Sequence, residues 1–144
     1  MHVVPSGVTL GSLSAQNPWW TDEKAIQADR YIVQFEQSTL RWIPRLAASF
    51  DINSDVVYTL RGPRQVGKTT LLKLLIRSLI EQGTAARRLF YWPCDLVEGP
   101  DALVELLEAY LSFSREFADE RRYVFLDEIS SVKDWQRGVK FLHD

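Results

Sequence analysis

A glycine-rich stretch in the middle of the chain has the residue types and spacing of a phosphate-binding loop. Residues 60–70 read LRGPRQVGKTT, which contains the pattern GxxxxGK[ST] from Gly62 to Thr69 without a mismatch. In such a loop the backbone N–H groups surround a phosphate, and a side chain at either glycine would block their close approach. A match by chance in a chain of this length is expected about 1% of the time from average composition. The spacing therefore predicts a nucleotide-binding loop rather than an ordinary turn.

The residues after the second glycine supply the chemistry of this loop. Lys68 is expected to reach the β- and γ-phosphates, where it becomes a catalytic candidate, and the Thr69 hydroxyl is expected to ligate Mg²⁺. The predicted nucleotide-binding residues are Gly62, Pro63, Arg64, Gln65, Val66, Gly67, Lys68, Thr69 and Thr70.

A second motif, YVFLDEI, places two adjacent carboxylates directly after an apolar run. The run predicts a buried strand, whose carboxyl end is the edge where open α/β sheets bind ligands. Asp127 is expected to hold Mg²⁺, usually through a water molecule bound to the ion. Glu128 is the candidate base that orients and polarises the water that attacks the γ-phosphate. With the loop about 60 residues upstream, this role is favoured over capping of the next turn.

Other nucleotide-using classes fit the sequence less well. Asp127 is followed by Glu-Ile-Ser rather than by the DxxG of a GTPase, and the chain contains no NKxD motif. A small-molecule kinase would not need the glutamate, since its acceptor is its substrate. ATP hydrolysis is therefore the favoured interpretation of the two motifs. A non-hydrolysing, nucleotide-dependent regulatory or binding module is the main alternative, and a P-loop kinase is a third.

The elements around these motifs alternate between strand and helix, which predicts an α/β fold with a mostly parallel sheet covered on both faces. A short helical N-terminal segment is expected to precede the sheet, and Pro44 begins another short helix. The sequence divides into a lead-in and helical linker over residues 1–50 and an ATP-binding domain over residues 51–144. The predicted strands are 56–60, 88–92 and 123–126, and the predicted helices are 22–37, 67–82, 100–117 and a last one that begins within 131–142.

Several other residues are predicted to have structural or solvent-exposed positions rather than roles in the site. Residues 1–20 are predicted to be extended or poorly ordered, with Trp19 and Trp20 anchoring them to the body, and Thr21 is the predicted N-cap of the helix that follows. Arg121 and Arg122 precede a strand at the end away from the phosphates, so they are predicted to be solvated rather than to act as an arginine finger.

Composition excludes some partners. The net charge of −2 gives no general attraction to nucleic acid, and the most apolar helix candidate is too short to cross a bilayer. The single cysteine excludes an internal disulfide and fits a reducing compartment, so a cytoplasmic location is expected. No Cys/His spacing indicates a metal other than Mg²⁺, and self-association or a protein partner is left open.

Together these motifs resemble the AAA+ class of P-loop ATPases, and more narrowly the prokaryotic ATP-binding proteins whose AAA+ core precedes a C-terminal domain of poorly defined function. The resemblance is carried by NPWW, LRGPRQVGKTTLLKLLIRSLI, FYWPCD and YVFLDEISSVKDWQRGVKFLHD. It implies a three-layer P-loop NTPase fold, and it implies for Lys68, Thr69, Asp127 and Glu128 the same roles as above.

The sequence departs from that class after its third predicted strand. The class implies a further strand with a polar sensor residue between the first and third strands, followed by an arginine finger and often a helical lid. The chain reads as the N-terminal part of a longer protein. Without that strand, the facing edges of VVYTL and YVFL would have unpaired backbone groups. Residues 1–144 alone are therefore expected to be marginally stable or aggregation-prone and to hydrolyse ATP negligibly.

Overall fold

The computed structural model describes residues 10–37 and 67–142. The predicted strand 56–60, the short helix that begins at Pro44 and the loop residues 62–66 lie outside the described residues. The described elements are helices α1 (Leu10–Gln16), α2 (Arg30–Gln37), α3 (Lys68–Glu81), α4 (Pro100–Phe113) and α5 (Trp135–Lys140), and strands β1 (Leu89–Pro93) and β2 (Tyr123–Asp127).

Strands β1 and β2 pair in parallel, as the alternation of elements predicts. Leu89 lies opposite Tyr123 and Pro93 opposite Asp127. The chain needs the α4 crossover between them because parallel strands cannot be joined by a tight turn. Both strands therefore end at the same edge of the sheet, which brings the residues after each strand close together.

Helices cover both faces of this sheet, since successive side chains of a strand point to opposite faces. On one face Leu89 and Tyr91 pack in a cluster with Ile76 and Leu79 of α3. On the other face Phe90 packs in a second cluster, which includes α4 and Val139 of α5. The predicted α/β class is confirmed at this level.

Helix α3 ends as its sequence predicts. Gly83 has a φ of 98°, a left-handed conformation that glycine adopts without strain. Its N–H donates to the Ile80 carbonyl at 3.0 Å, and the Thr84 N–H donates to the Leu79 carbonyl at 3.0 Å. This pair of bonds is a Schellman motif, which satisfies carbonyl groups that the helix itself leaves unpaired.

Helix α4 ends earlier than predicted, and the prediction that Arg122 is solvated is wrong. The helix stops at Phe113, where the Ser114 hydroxyl donates back to the Tyr110 carbonyl at 2.9 Å. The half-buried Arg122 guanidinium then donates to the Leu111 carbonyl and to the Ser114 hydroxyl, at 3.3 and 3.1 Å. A cation at a helix C-terminus is stabilised by the unpaired carbonyls there, so Arg122 has a structural role.

The N-terminal segment is more ordered than its Ser, Gly, Pro and Asn content predicts. Residues 10–16 form α1, and the single helix expected over 22–37 is divided into a 3₁₀ helix, Glu23–Ala28, and α2. Asp29 causes the division because its carboxylate accepts hydrogen bonds from the Tyr31 and Ile32 N–H groups, at 2.9 and 3.3 Å. Aspartate competes in this way with the helical backbone and favours N-cap positions. Asp22, and not Thr21, caps the first piece.

Side chains of the N-terminal segment occupy the edge of β1 that faces away from β2. The Asn17 carboxamide accepts from the Tyr91 N–H at 2.7 Å and donates to the Tyr91 carbonyl at 3.0 Å. The indole N–H groups of Trp19 and Trp20 both donate to the Leu89 carbonyl, at 3.0 and 2.8 Å. We call these contacts the edge cluster. The expected anchoring role of the two tryptophans is confirmed.

The edge cluster answers a general problem of open sheets. An exposed strand edge has unpaired N–H and C=O groups that invite pairing with another chain. Here Asn17 is fully buried and bonds both backbone groups of one residue, as a neighbouring strand would. Pro93, the last residue of β1, has no N–H group to satisfy.

Within the described ranges, no helix is long and apolar enough to cross a membrane.

Candidate functional site at the carboxyl end of the sheet

Asp127 lies at the end of β2 and is almost fully buried, with 5% of its surface exposed. Its Oδ2 accepts a hydrogen bond of 2.5 Å from the Thr69 hydroxyl in the first turn of α3. The two residues are 58 positions apart, so only the packing of α3 against the sheet brings them together. A buried carboxylate is costly unless donors compensate its charge, and Thr69 is the first of these donors.

Tyr91 is the second donor. It lies in the middle of β1, and its hydroxyl donates to the same Oδ2 of Asp127 at 2.7 Å. Burial, together with this hydrogen bond to Asp127, raises the pKa of Tyr91 far above its usual range, so the hydroxyl keeps its proton. We call Thr69, Tyr91 and Asp127 the carboxylate cluster. Both donors reach one oxygen, and no donor from the described residues reaches Oδ1.

Lys68 and Glu128 lie next to this cluster. The Lys68 ammonium is 3.9 Å from Glu128 Oε1, and both side chains are largely shielded from solvent. This distance is an ion pair rather than a hydrogen bond. Lys68 and the candidate base Glu128 are therefore neighbours near the carboxyl end of β2, and their opposite charges attract each other.

The backbone at Glu128 is in an unusual conformation. Its φ of 57° and ψ of 32° fall in the left-handed region, which a glutamate adopts rarely and at a cost of about 1–3 kcal/mol. The turn is held by Ser131, whose N–H and hydroxyl both bond to the Glu128 carbonyl, at 3.1 and 2.7 Å. The turn begins a 3₁₀ helix, Ile129–Ser131, directly after the strand. A strained residue beside charged groups is a common feature of functional sites.

Lys73 lies one helical turn beyond Thr69 and connects the site with the N-terminal segment. Its ammonium donates to the Asp29 carboxylate at 2.8 Å, and both side chains are at least 90% buried. The same ammonium is 4.1 Å from the centre of the Tyr91 ring and 5.3 Å from that of Trp19. Lys73 therefore contacts both the edge cluster, through Trp19, and the carboxylate cluster, through Tyr91.

Most of the predicted site residues that the structure describes come together. Thr69 meets Asp127, and Lys68 meets Glu128. Gly67 precedes α3 in a left-handed conformation with a φ of 76°, which fits the glycine of the loop pattern. Thr70 is in the first turn of the same helix. The remaining predicted residues, Gly62 to Val66, lie outside the described part of the chain.

The donors at this site fit Mg²⁺. The ion keeps several waters and is bound by one or two carboxylates together with substrate phosphates. The adjacent Asp127 and Thr69 oxygens could supply that protein share. No group of three or more His, Cys, Asp or Glu that could hold a metal occurs in residues 10–37 and 67–142.

Cys94 follows β1 at the same edge and is fully buried. Burial raises the pKa of its thiol to about 12, and the negative charges of Asp127 and Asp95 add to this effect. Because the thiolate is the nucleophile, a buried thiol with a raised pKa is a poor nucleophile at neutral pH.

Sequence reasoning missed Tyr91, Lys73 and Asp29. Tyr91 had one usable signal, since a buried tyrosine hydroxyl generally needs a partner. A lysine inside the otherwise apolar LLKLLI of α3 was the corresponding signal for Lys73. Neither signal identifies the partner, which lies 36 residues from Tyr91 and 44 residues from Lys73.

The AAA domain family model matches residues 54–144, which is more than half of the chain. The chain therefore belongs to the AAA domain family, and this segment is an AAA-type, P-loop ATPase-like domain. Comparison with curated proteins and with solved structures gave no significant match.

Proposed function

We propose that the chain binds ATP with Mg²⁺ at the carboxyl end of the sheet, within a P-loop NTPase fold. One observation carries this proposal: the Thr69 hydroxyl bonds Asp127 at 2.5 Å, so the hydroxyl and the carboxylate that the two motifs supply are adjacent. Membership of the AAA domain family, whose match includes both motifs, supports a nucleotide as the ligand.

The residues take distinct roles in this proposal. Residues 62–67 would surround the phosphates with their backbone N–H groups, except at Pro63, which has none. Thr70 would contact the α-phosphate, and Lys68 would neutralise charge on the β- and γ-phosphates. Thr69 and Asp127 would hold Mg²⁺, which would supply neutralisation of charge on the phosphates. Glu128 accepts a proton from the attacking water and orients it.

Glu128 must leave Lys68 in order to act as a base. The Lys68 ammonium and Glu128 Oε1 are 3.9 Å apart. Because the γ-phosphate is a stronger competitor for the lysine than one carboxylate is, nucleotide binding would release Glu128 toward the water. If Glu128 stayed on Lys68, the protein would bind ATP without hydrolysing it, and would act as a nucleotide-dependent binding or regulatory module.

Calorimetric titration with ATP in the presence and absence of Mg²⁺ tests the binding proposal. The parent protein is expected to bind ATP–Mg²⁺, and Lys68→Ala is expected to abolish measurable binding because it removes the charge that faces the phosphates. Lys140→Ala, which removes an exposed lysine of α5, is the control and should bind as the parent does. Equal affinity of Lys68→Ala and the parent would refute this site. Phosphate release by the parent protein then separates hydrolysis from binding alone.

A further inference from the structure

Tyr91 has a place in the site that neither motif assigns. It is 4% exposed in the centre of β1, and its hydroxyl donates to Asp127 Oδ2 at 2.7 Å. We propose that Tyr91 is a positioning residue of the magnesium site, which orients the Asp127 carboxylate so that Oδ1 faces the ion and its water. This inference rests on the proposed ATP–Mg²⁺ function and names a residue on which that function depends.

The geometry of the two donors supports this role. A carboxylate that accepts only one hydrogen bond can rotate about it and exchange its two oxygens. Thr69 and Tyr91 approach Oδ2 from different elements, α3 and β1, at 2.5 and 2.7 Å. Together they fix both the oxygen that is occupied and the plane of the group. Partners that orient a metal ligand in this way contribute strongly to metal affinity.

Tyr91 is itself held at its backbone and at its ring, which a positioning residue requires. Its backbone N–H and carbonyl are both bonded by Asn17, at 2.7 and 3.0 Å. Its ring lies 4.1 Å from the Lys73 ammonium, which is fixed in turn by Asp29 at 2.8 Å. The N-terminal segment thus fixes the residue that orients Asp127, and it acts on the magnesium site through Tyr91 without contributing a ligand.

A purely structural role for the hydroxyl makes a different prediction. Tyr110 provides the comparison because it is also a buried tyrosine, and its hydroxyl donates to the Arg87 carbonyl at 2.9 Å. If both hydroxyls only satisfy buried polar groups, Tyr91→Phe and Tyr110→Phe should lower stability and leave the magnesium dependence unchanged. If Tyr91 positions Asp127, only Tyr91→Phe should change that dependence.

The test measures ATP affinity by calorimetry over a series of Mg²⁺ concentrations for the parent, Tyr91→Phe and Tyr110→Phe. We expect Tyr91→Phe to need about 10-fold more Mg²⁺ than the parent to reach half of the maximal gain in ATP affinity. This value is the lower end of the effect that residues bonded to a metal ligand have on metal affinity. The affinity of Tyr91→Phe for ATP without Mg²⁺ should stay within about twofold of the parent. Tyr110→Phe should match the parent in both measurements.

The possible failures are distinguishable. If the parent responds to Mg²⁺ and Tyr91→Phe has the same half-point, the inference is wrong and the proposed function stands. If the parent binds no ATP–Mg²⁺, the proposed function is wrong and the inference falls with it. If Tyr91→Phe fails to fold while Tyr110→Phe folds, the hydroxyl is a structural requirement, and the positioning role is refuted.

Discussion

Two buried polar regions lie on the two sides of Tyr91, and they are built differently. In the edge cluster, neutral side chains bond neutral backbone groups of β1, and Tyr91 contributes its N–H and carbonyl. In the carboxylate cluster, Tyr91 contributes its hydroxyl to the charged Asp127. One strand residue therefore belongs to a region that completes the fold and to a region that prepares the site.

The two regions differ in how their polar side chains are hydrogen-bonded, and we expect the edge cluster to serve stability and the carboxylate cluster to serve function. Asn17 in the edge cluster is fully buried, and its carboxamide donates and accepts in full. Asp127 accepts two bonds on one oxygen, and Oδ1 has no donor among the described residues. In the proposed function, a magnesium-bound water would bond to this oxygen.

The largest effect is expected where the two regions meet, at Lys73. Lys73→Met should lower the free energy of unfolding by about 3–5 kcal/mol, because it leaves the buried Asp29 carboxylate without its cation. Chemical denaturation measures this change. Lys73→Met combined with Asp29→Asn should recover part of the loss, since an asparagine can still accept bonds from the α2 N–H groups. A double variant no more stable than the single one would contradict this account.

Glu128→Gln should separate function from stability. Where the parent protein hydrolyses ATP, loss of the general base should lower this turnover by about 10²-fold while ATP stays bound. The free energy of unfolding should change by less than about 0.5 kcal/mol, as at most sites outside the core. Glu105→Gln, on the exposed face of α4, is the matched control and should hydrolyse ATP as the parent does. Turnover at the parent rate in Glu128→Gln would assign the base to another residue.

A substitution in the edge cluster should lower stability, in contrast to Glu128→Gln, but by less than Lys73→Met does. Asn17→Ala should lower the free energy of unfolding by about 1–3 kcal/mol, because buried backbone groups of Tyr91 lose their partner. Hydrogen exchange at the Tyr91 amide should become faster in this variant. Gln16→Ala, at an exposed neighbouring position, is the control and should change stability by less than about 0.5 kcal/mol. Unchanged exchange at Tyr91 in Asn17→Ala would contradict the edge-strand role.

Local sequence determined the elements and the position of the motifs. Gly83 specifies the end of α3 because the left-handed conformation strongly favours glycine. The apolar run before Asp127 specifies a strand, and its alternation with helices specifies parallel pairing. The predicted burial of this strand is wrong for residues 123–126, which are only partly buried. The end of α3 and the strand itself were predictable because each depends on residues within a few positions of one another. The boundaries that failed, at Asp29 and Ser114, were decided by single side chains that bond the backbone.

Tertiary structure decided the partners of the buried polar groups. The sequence does not show that Asn17, Lys73 and Tyr91 come together at β1 and the site. Their hydrogen bonds join residues that are 74, 44 and 36 positions apart. A hydrogen bond depends on tenths of an ångström and on angle, which follow from how α3, β1 and the N-terminal segment pack as whole bodies. The phosphate-binding pattern therefore indicates which residues form the candidate site, while packing alone determines what orients Asp127 within it.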